Sequence, residues 1–214
     1  MYGVEALSGI PVAQVSDALD ELGFRAQVLA PEIRALHPGS RLAGRAVPVL
    51  VEATDAVEPN PYEGDMRLVE SLRPGDVPVF GAGPGVRAAL WGELLSCAAL
   101  GRGSTGAVVD GYVRDARQMA GLGFPVFCRG CSPLDTRGRA VVRGHGVEIV
   151  CGGVTVVPGD YVVGDEDGVV VVPAGALEEV LERVGSRDRG EQGAKADLLA
   201  GVGIFDVWEK WKIL

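Results

Sequence analysis

Apolar residues at Ile10, Val12, Val15, Ala18, Leu19 and Leu22 recur near the helical period, with Ser16 and Asp17 beside the stripe and Gly23 after it. This pattern predicts a first helix over Ile10–Leu22. Leu42–Glu52 reads as a β segment, and the Pro59, Asn60, Pro61 and Gly64 punctuation predicts a loop over Asp55–Asp65 that could cover a site. In Leu72–Phe80 a Pro-Gly-Asp turn launches a buried strand, and Val156–Pro173 repeats that device and adds a second strand after the Asp165–Gly168 turn. One repetition shows a reused unit, not a fixed-period solenoid.

Between the two units, Ala88–Leu100 carries a helical pattern and runs into Gly101-Arg-Gly-Ser-Thr-Gly106. Ala107–Gly111 then predicts a short buried strand, Arg114–Leu122 a helix and Phe124–Phe127 another strand. Helical stretches at Ala176–Val184 and Glu191–Leu199 and the Trp208–Leu214 segment form the tail, whose tryptophans are expected to pack on the body or on a neighbouring subunit. Alternation of helix and strand predicts an α/β fold. The whole of residues 1–214 reads as a single domain, with a C-terminal helical tail over about 176–214.

Composition narrows the function. Glycine, at 32 of 214 residues, is about twice as frequent as usual and fits a turn-rich fold. A net charge of −9 argues against phosphate-backbone binding, so no nucleic-acid partner is expected. No apolar run reaches the ~18 residues that span a bilayer, and the start Met1–Ala6 lacks the pattern of a signal peptide. The expectation is therefore a cytoplasmic protein that engages no membrane. The four cysteines are too few and scattered for a disulfide framework and should be reduced thiols.

Little material exists for several kinds of chemistry. His37 and His145, both in Gly/Pro-rich surroundings, read as loop residues and cannot furnish a multi-histidine metal site. Cys128 and Cys131 have CxxC spacing without a second ligand pair, and are read as core or adventitious thiols. The Gly101–Gly106 run matches GxGxxG but follows a helix and precedes a strand, the reverse of a dinucleotide fingerprint.

Val108–Asp115 is more informative, because a buried strand there ends by presenting Arg114 and Asp115 at its carboxyl end, where open α/β sheets bind ligands. A guanidinium suits bidentate capture of a carboxylate, and an adjacent carboxylate suits a hard cation such as Mg²⁺. From these residues alone the favoured reading is a surface Arg-Asp pair capping the following helix, with Asp115 in its first turn.

Ordered motifs along nearly the whole chain resemble one family. They are Val15-Ser-Asp-Ala-Leu19, Ala43-Gly-Arg-Ala46, Pro74-Gly-Asp-Val77, Gly92-Glu-Leu-Leu95, Val109-Asp-Gly-Tyr-Val-Arg-Asp115, Gly123-Phe-Pro-Val-Phe127, Gly152–Asp160 and Asp165–Pro173. The sequence is similar to the RraA-like proteins, which include class II 4-hydroxy-4-methyl-2-oxoglutarate (4-carboxy-4-hydroxy-2-oxoadipate) aldolases. That resemblance implies an α/β/β/α sandwich of the swivelling-domain type, assembled as a homotrimer or dimer of trimers with sites between subunits.

By the same resemblance, backbone amides of Gly92, Glu93, Leu94 and Leu95 and the Arg114 side chain would hold the carboxylate of a 2-oxo acid substrate. Asp115 would help hold Mg²⁺ or Mn²⁺. Glu93 would orient a metal-bound water or accept a proton, or be a solvated helix residue. Glu191 would reach the metal from a neighbouring subunit.

The implied function is cleavage of a 4-hydroxy-2-oxo diacid to pyruvate through a metal-bound enolate, with possible oxaloacetate decarboxylase activity. The chemistry is self-consistent, since a cation chelated by a 2-oxo acid offsets the charge of the departing enolate. Lys195, Lys210 and Lys212 all lie in the tail, which leaves a Schiff-base mechanism without an obvious nucleophile near Arg114. Two alternatives stay open: a protein-binding regulator resembling the ribonuclease E inhibitor, and a biosynthetic lyase with another aldol partner, chosen by the Asp55–Asp65 loop and Tyr112.

Overall fold

The run Gly168–Val172 is buried at every position, because apolar layers cover both of its faces. Val169 and Val171 join Val77, Val79, Val108 and Phe127 in one cluster, whereas Val170 and Val172 join Val12, Val15 and Leu19 of the first helix in another. Two-residue alternation thus sends successive valines into different layers. A computed structural model describes residues 4–213; Met1–Gly3, within the start read for a leader, and Leu214, the last residue of the tail, lie outside the described residues.

Eleven strands are present among the described residues: β1 (Arg34–Ala35), β2 (Leu42–Ala53), β3 (Asp76–Ala82), β4 (Ala89–Trp91), β5 (Ala107–Val113), β6 (Val126–Cys131), β7 (Ala140–His145), β8 (Ile149–Cys151), β9 (Val154–Val156), β10 (Tyr161–Asp165) and β11 (Gly168–Val172). With them go the helices α1 (Val12–Glu21), α2 (Glu63–Ser71), α3 (Glu93–Gly101), α4 (Ala116–Leu122), α5 (Leu177–Leu199) and α6 (Ile204–Trp211).

Nine strands form one mixed sheet in the order β1-β6-β5-β3-β2-β10-β11, with β4 beside β5 and β7 beside β2, while β8 and β9 form a separate hairpin. The sheet curls until its edges nearly meet. Leu29 N–H donates to the Val169 carbonyl at 2.9 Å, and Arg34 Nη1 donates to the Asp167 carbonyl at 2.8 Å. The two halves of the sheet face each other across the cluster around Phe127. A Cβ on Gly164 would stand 2.9 Å from the Phe127 ring, so glycine is what admits that ring between the halves.

Outside this core, α1 and α5 cover β10 and β11, while α2, α3 and α4 cover the β3–β5–β6 side around Phe80, Trp91 and Phe124. The mixed α/β fold and its helix–sheet–sheet–helix layering agree with expectation, the two sheet layers being halves of one curled sheet.

Four sequence readings change. Ala88–Leu100 is not one helix: Ala89–Trp91 pair in parallel with β5 as a fully buried strand, and only Glu93–Gly101 is helical. A short apolar run fits either state locally, and the pairing with β5 decides. The Asp55–Asp65 loop ends early, since α2 starts at Glu63 and buries Asp65, Leu68 and Val69. The two tail segments are one 23-residue helix, α5. Two of its internal glycines are packing positions, since a Cβ on Gly193 would collide with the Trp211 ring of α6 and one on Gly190 with Ile213. Finally, His145 ends a strand, β7, that pairs with β2.

Candidate active site

Trp91 fixes the turn from β4 into α3. It is 1% exposed, meets Phe80 edge-on at 5.6 Å between ring centroids and stacks on Phe124 at 6.1 Å. Its indole N–H donates to Ser96 Oγ at 2.8 Å, and that hydroxyl donates to the Gly92 carbonyl at 2.9 Å. Gly92 is extended (φ −165°, ψ −169°) and ends at the N-terminus of α3. The first amides of a helix lack intrahelical acceptors and form a ready anion site.

The parallel strand β5 delivers the partner group. Arg114 N–H donates to the Trp91 carbonyl at 2.9 Å, which holds the end of β5 beside the start of α3. Asp115 then takes a left-handed conformation, φ 59°, unusual for a residue with a side chain and costing roughly 1–3 kcal/mol. Although Asp115 occupies the N-cap position of α4, its side chain does not cap that helix. Its Oδ2 instead accepts the Glu93 N–H at 3.3 Å, across the cleft.

Arg114 is held at two edges. Nη1 donates to Asp135 Oδ1 at 3.0 Å, and Nε lies 3.7 Å from Asp115 Oδ2. Asp135, in the loop before β7, accepts at Oδ2 from the Tyr62 hydroxyl (2.8 Å) and the Arg137 N–H (3.1 Å). Partial burial opposes ionisation of Asp135, but these two hydrogen bonds and the Arg114 charge outweigh it and hold its carboxyl below the ordinary range. The same hydrogen bond pushes the Tyr62 hydroxyl up.

A cavity of about 380 Å³ joins these groups, lined by Tyr62, Asp65, Trp91, Leu95, Arg114 and Asp135 and reaching Gly92, Leu94 and Asp115. Asp65 is 8% exposed, and burial pushes its carboxyl up to about 6.

The structure therefore brings Gly92, Leu94, Leu95, Arg114 and Asp115 together as the sequence reading proposed. Glu93 contributes its amide, but its side chain is not part of the cavity lining. Tyr112 is likewise absent from that lining. Glu191 lies on α5, where its Oε2 accepts from Gln14 Nε2 at 2.6 Å and its Oε1 is 3.2 Å from Arg187 Nε, so one chain alone does not bring it to the cavity. Sequence reading missed Tyr62, Asp65 and Asp135. The apolar spacing of Leu68, Val69 and Leu72 behind Asp65 was the one available hint of a helix there.

Whether a divalent cation suits the site can be judged from its donors. No group of three or more His, Cys, Asp or Glu side chains able to hold a metal occurs among the described residues. Magnesium does not require one, because it commonly keeps several waters and takes one or two carboxylates plus substrate oxygens. Asp115 supplies a hard oxygen beside a space kept clear by Gly92 at the edge of the cavity. These residues fit a magnesium-like ion.

None of the four cysteines lines this cavity, although Cys131 lines a second recess with Arg114, Asp115, Ser132 and Pro133. Cys128 is buried and its thiol pushed up to about 11 by desolvation, whereas Cys131, three positions on, faces the other side of β6 and is exposed.

Comparison with known proteins identifies a family. The RraA-like family model, described as Aldolase/RraA, matches residues 12–171. A protein of Halalkalibacterium halodurans named "Putative 4-hydroxy-4-methyl-2-oxoglutarate aldolase" is 36% identical over 183 residues, covering 86% of this chain and 82% of that one. Among solved structures, an uncharacterised protein from Pseudomonas syringae pv. tomato superposes with a TM-score of 0.86 at 27% identity, covering 97% of this chain and 93% of the other. Streptomyces coelicolor RraAS2, described as an unusual member of the RNase ES inhibitor RraA protein family, superposes with a TM-score of 0.79 at 29% identity over 90% and 94% of the two chains.

Proposed function

The chain belongs to the RraA-like family, and from that premise we propose that it is a divalent-cation-dependent aldolase that cleaves a 4-hydroxy-2-oxo diacid to pyruvate. The observation that carries the reading is the convergence of the Arg114 guanidinium, the N-terminus of α3 and the Asp115 carboxylate on one cavity. Arg114 offers a planar two-donor fork to the substrate's carboxylate, and the amides of Leu94 and Leu95 offer further donors. Asp135 and Tyr62 keep that fork oriented, so little side-chain freedom remains to be lost on binding.

Asp115, joined by Glu191 of a neighbouring copy in a trimer or dimer of trimers, would hold Mg²⁺ or Mn²⁺. When bound, the cation would act as a Lewis acid toward the 2-oxo acid and offset the negative charge that develops as the carbon–carbon bond breaks. Oxaloacetate decarboxylation, which develops the same charge, belongs to the same proposal. Within one chain all three lysines lie on α5 or at α6, away from the cavity lining, so an imine would need a lysine from the neighbouring copy.

The test is a panel of 4-hydroxy-2-oxo acids and oxaloacetate assayed for pyruvate release with Mg²⁺, with Mn²⁺ and after thorough chelation. Release that depends on the cation and survives borohydride in the presence of substrate is expected. Turnover undiminished by chelation overturns the cation's role. Absence of pyruvate release from every member of the panel overturns the aldolase reading, in favour of a protein-binding regulator of the kind the Streptomyces neighbour's description names.

A further inference from the structure

Asp65 is the third residue of α2 and is almost wholly buried, yet what remains accessible of it lines the cavity that contains Arg114 and Asp115. Burying a carboxyl group is costly unless it is paired. Among the described residues no other residue donates a hydrogen bond to it or forms an ion pair with it; the nearby Arg67 is engaged by Glu63. A surface acid at the start of α2, suited to the helix dipole, is already present in Glu63. Asp65 is thus the one carboxyl of the cavity left without a partner side chain, since Asp135 is bonded to Arg114 and Tyr62, and Asp115 is turned to the α3 amide and Arg114.

Building on the aldolase reading, we propose that Asp65 is the proton carrier of the reaction. Its carboxylate takes the proton of the substrate's hydroxyl as the adjacent carbon–carbon bond breaks. The hydroxyl-bearing carbon becomes a carbonyl, and the bonding pair passes into the enolate of the pyruvate half. The carboxylic acid so formed returns the same proton to the terminal carbon of the enolate, giving the methyl group of pyruvate and restoring the carboxylate. No oxidant, reductant or further reactant enters the cycle.

A carboxyl whose proton affinity burial has raised can both accept and release a proton near neutral pH. The titratable and charged groups sharing its cavity are Tyr62 at the start of its own helix, Arg114 and Asp115 at the end of β5, and Asp135 before β7; α3 presents Leu94 and Leu95 there.

The test compares wild type, Asp65→Asn and Asp65→Glu on the best aldol substrate and on oxaloacetate, with Mg²⁺ present. Aldol cleavage needs a base at the hydroxyl, whereas decarboxylation releases carbon dioxide without one. Asp65→Asn should lower kcat for aldol cleavage by on the order of a hundredfold or more and decarboxylation by less than tenfold. Asp65→Glu should restore part of the loss, and the acid limb of the wild-type kcat/KM profile should disappear in Asp65→Asn.

Exchange of the methyl protons of pyruvate with deuterated water, followed by NMR, reads the second half of the cycle directly and should be lost in Asp65→Asn. Should that variant fail to fold, wild-type exchange without an acid limb near neutral pH overturns the assignment by itself. Equal loss of both activities with an unchanged pH profile, or wild-type cleavage by Asp65→Asn, also overturns it. A wild type that cleaves no aldol substrate overturns the aldolase reading and this assignment together, a result distinct from the others.

Discussion

A Cβ added to Gly92 would stand 2.8 Å from Asp115 Oδ2, closer than a carbon and a carboxylate oxygen can approach. Gly92 itself is extended, a conformation any residue adopts, so glycine is required there for space and not for backbone freedom. Gly92→Ala should therefore fold normally but displace the Asp115 carboxylate. We expect an unchanged Tm, within a degree or two, and at least a tenfold rise in the cation concentration for half-maximal rate. A wild-type cation titration would disprove the role given to this contact.

Arg114→Lys should fail almost as badly as Arg114→Ala, because lysine keeps the charge without the planar fork. Loss of a charge-assisted contact of this kind is worth about 2–3 kcal/mol, on the order of a hundredfold in kcat/KM. Near wild-type kinetics for Arg114→Ala would reject the carboxylate clamp.

Tyr62→Phe removes one of the hydrogen bonds that orient Asp135, and through it Arg114. Several-fold loss in kcat/KM, mostly through KM, is the expected outcome. Asp135 stays ionised well below neutrality, so the Asp135–Arg114 interaction persists at higher pH and is lost only as pH falls through the depressed value. Substrate KM should accordingly show no titration assignable to Asp135 between about pH 6 and 8.

Asp65 makes the opposite pH prediction for stability. Its folded-state proton affinity is raised to about 6, so its contribution favours folding below the ordinary carboxylate range and is lost as pH rises through about 6. Asp65→Asn, which cannot ionise, should gain up to about 3 kcal/mol over wild type at pH 8 and roughly half that at pH 5. Urea unfolding of both proteins at the two pH values measures the difference; a gain independent of pH would show that Asp65 is not a strained ionised group.

Glu191→Ala tests the contribution of a second chain. Removing its contacts with Gln14 and Arg187 should leave the assembly intact, as sedimentation would report, while weakening cation binding or turnover. Unchanged cation affinity and rate would leave Glu191 as a link between α1 and α5 only, and a monomeric wild type would remove the premise of a shared site.

What the sequence by itself determined was whatever rests on neighbours along the chain. The helical stripe of α1, the two strands after the second Pro-Gly-Asp turn, and the strand that delivers Arg114 and Asp115 are all written in local periodicity and turn chemistry. That Gly92–Leu95 and Arg114–Asp115 share one site was implied by the resemblance to the RraA-like family, not by local pattern. Tertiary structure decided the rest, because the deciding contacts join distant segments. Ala89–Trp91 is a strand only because β5 lies beside it, and α5 runs unbroken through its glycines, with Trp211 of α6 packed on Gly193. Tyr62 and Asp135 are 73 positions apart and meet only when α2 and the loop before β7 converge on Arg114. The raised proton affinity of Asp65 comes from desolvation by burial, a property no residue has until the chain around it has folded.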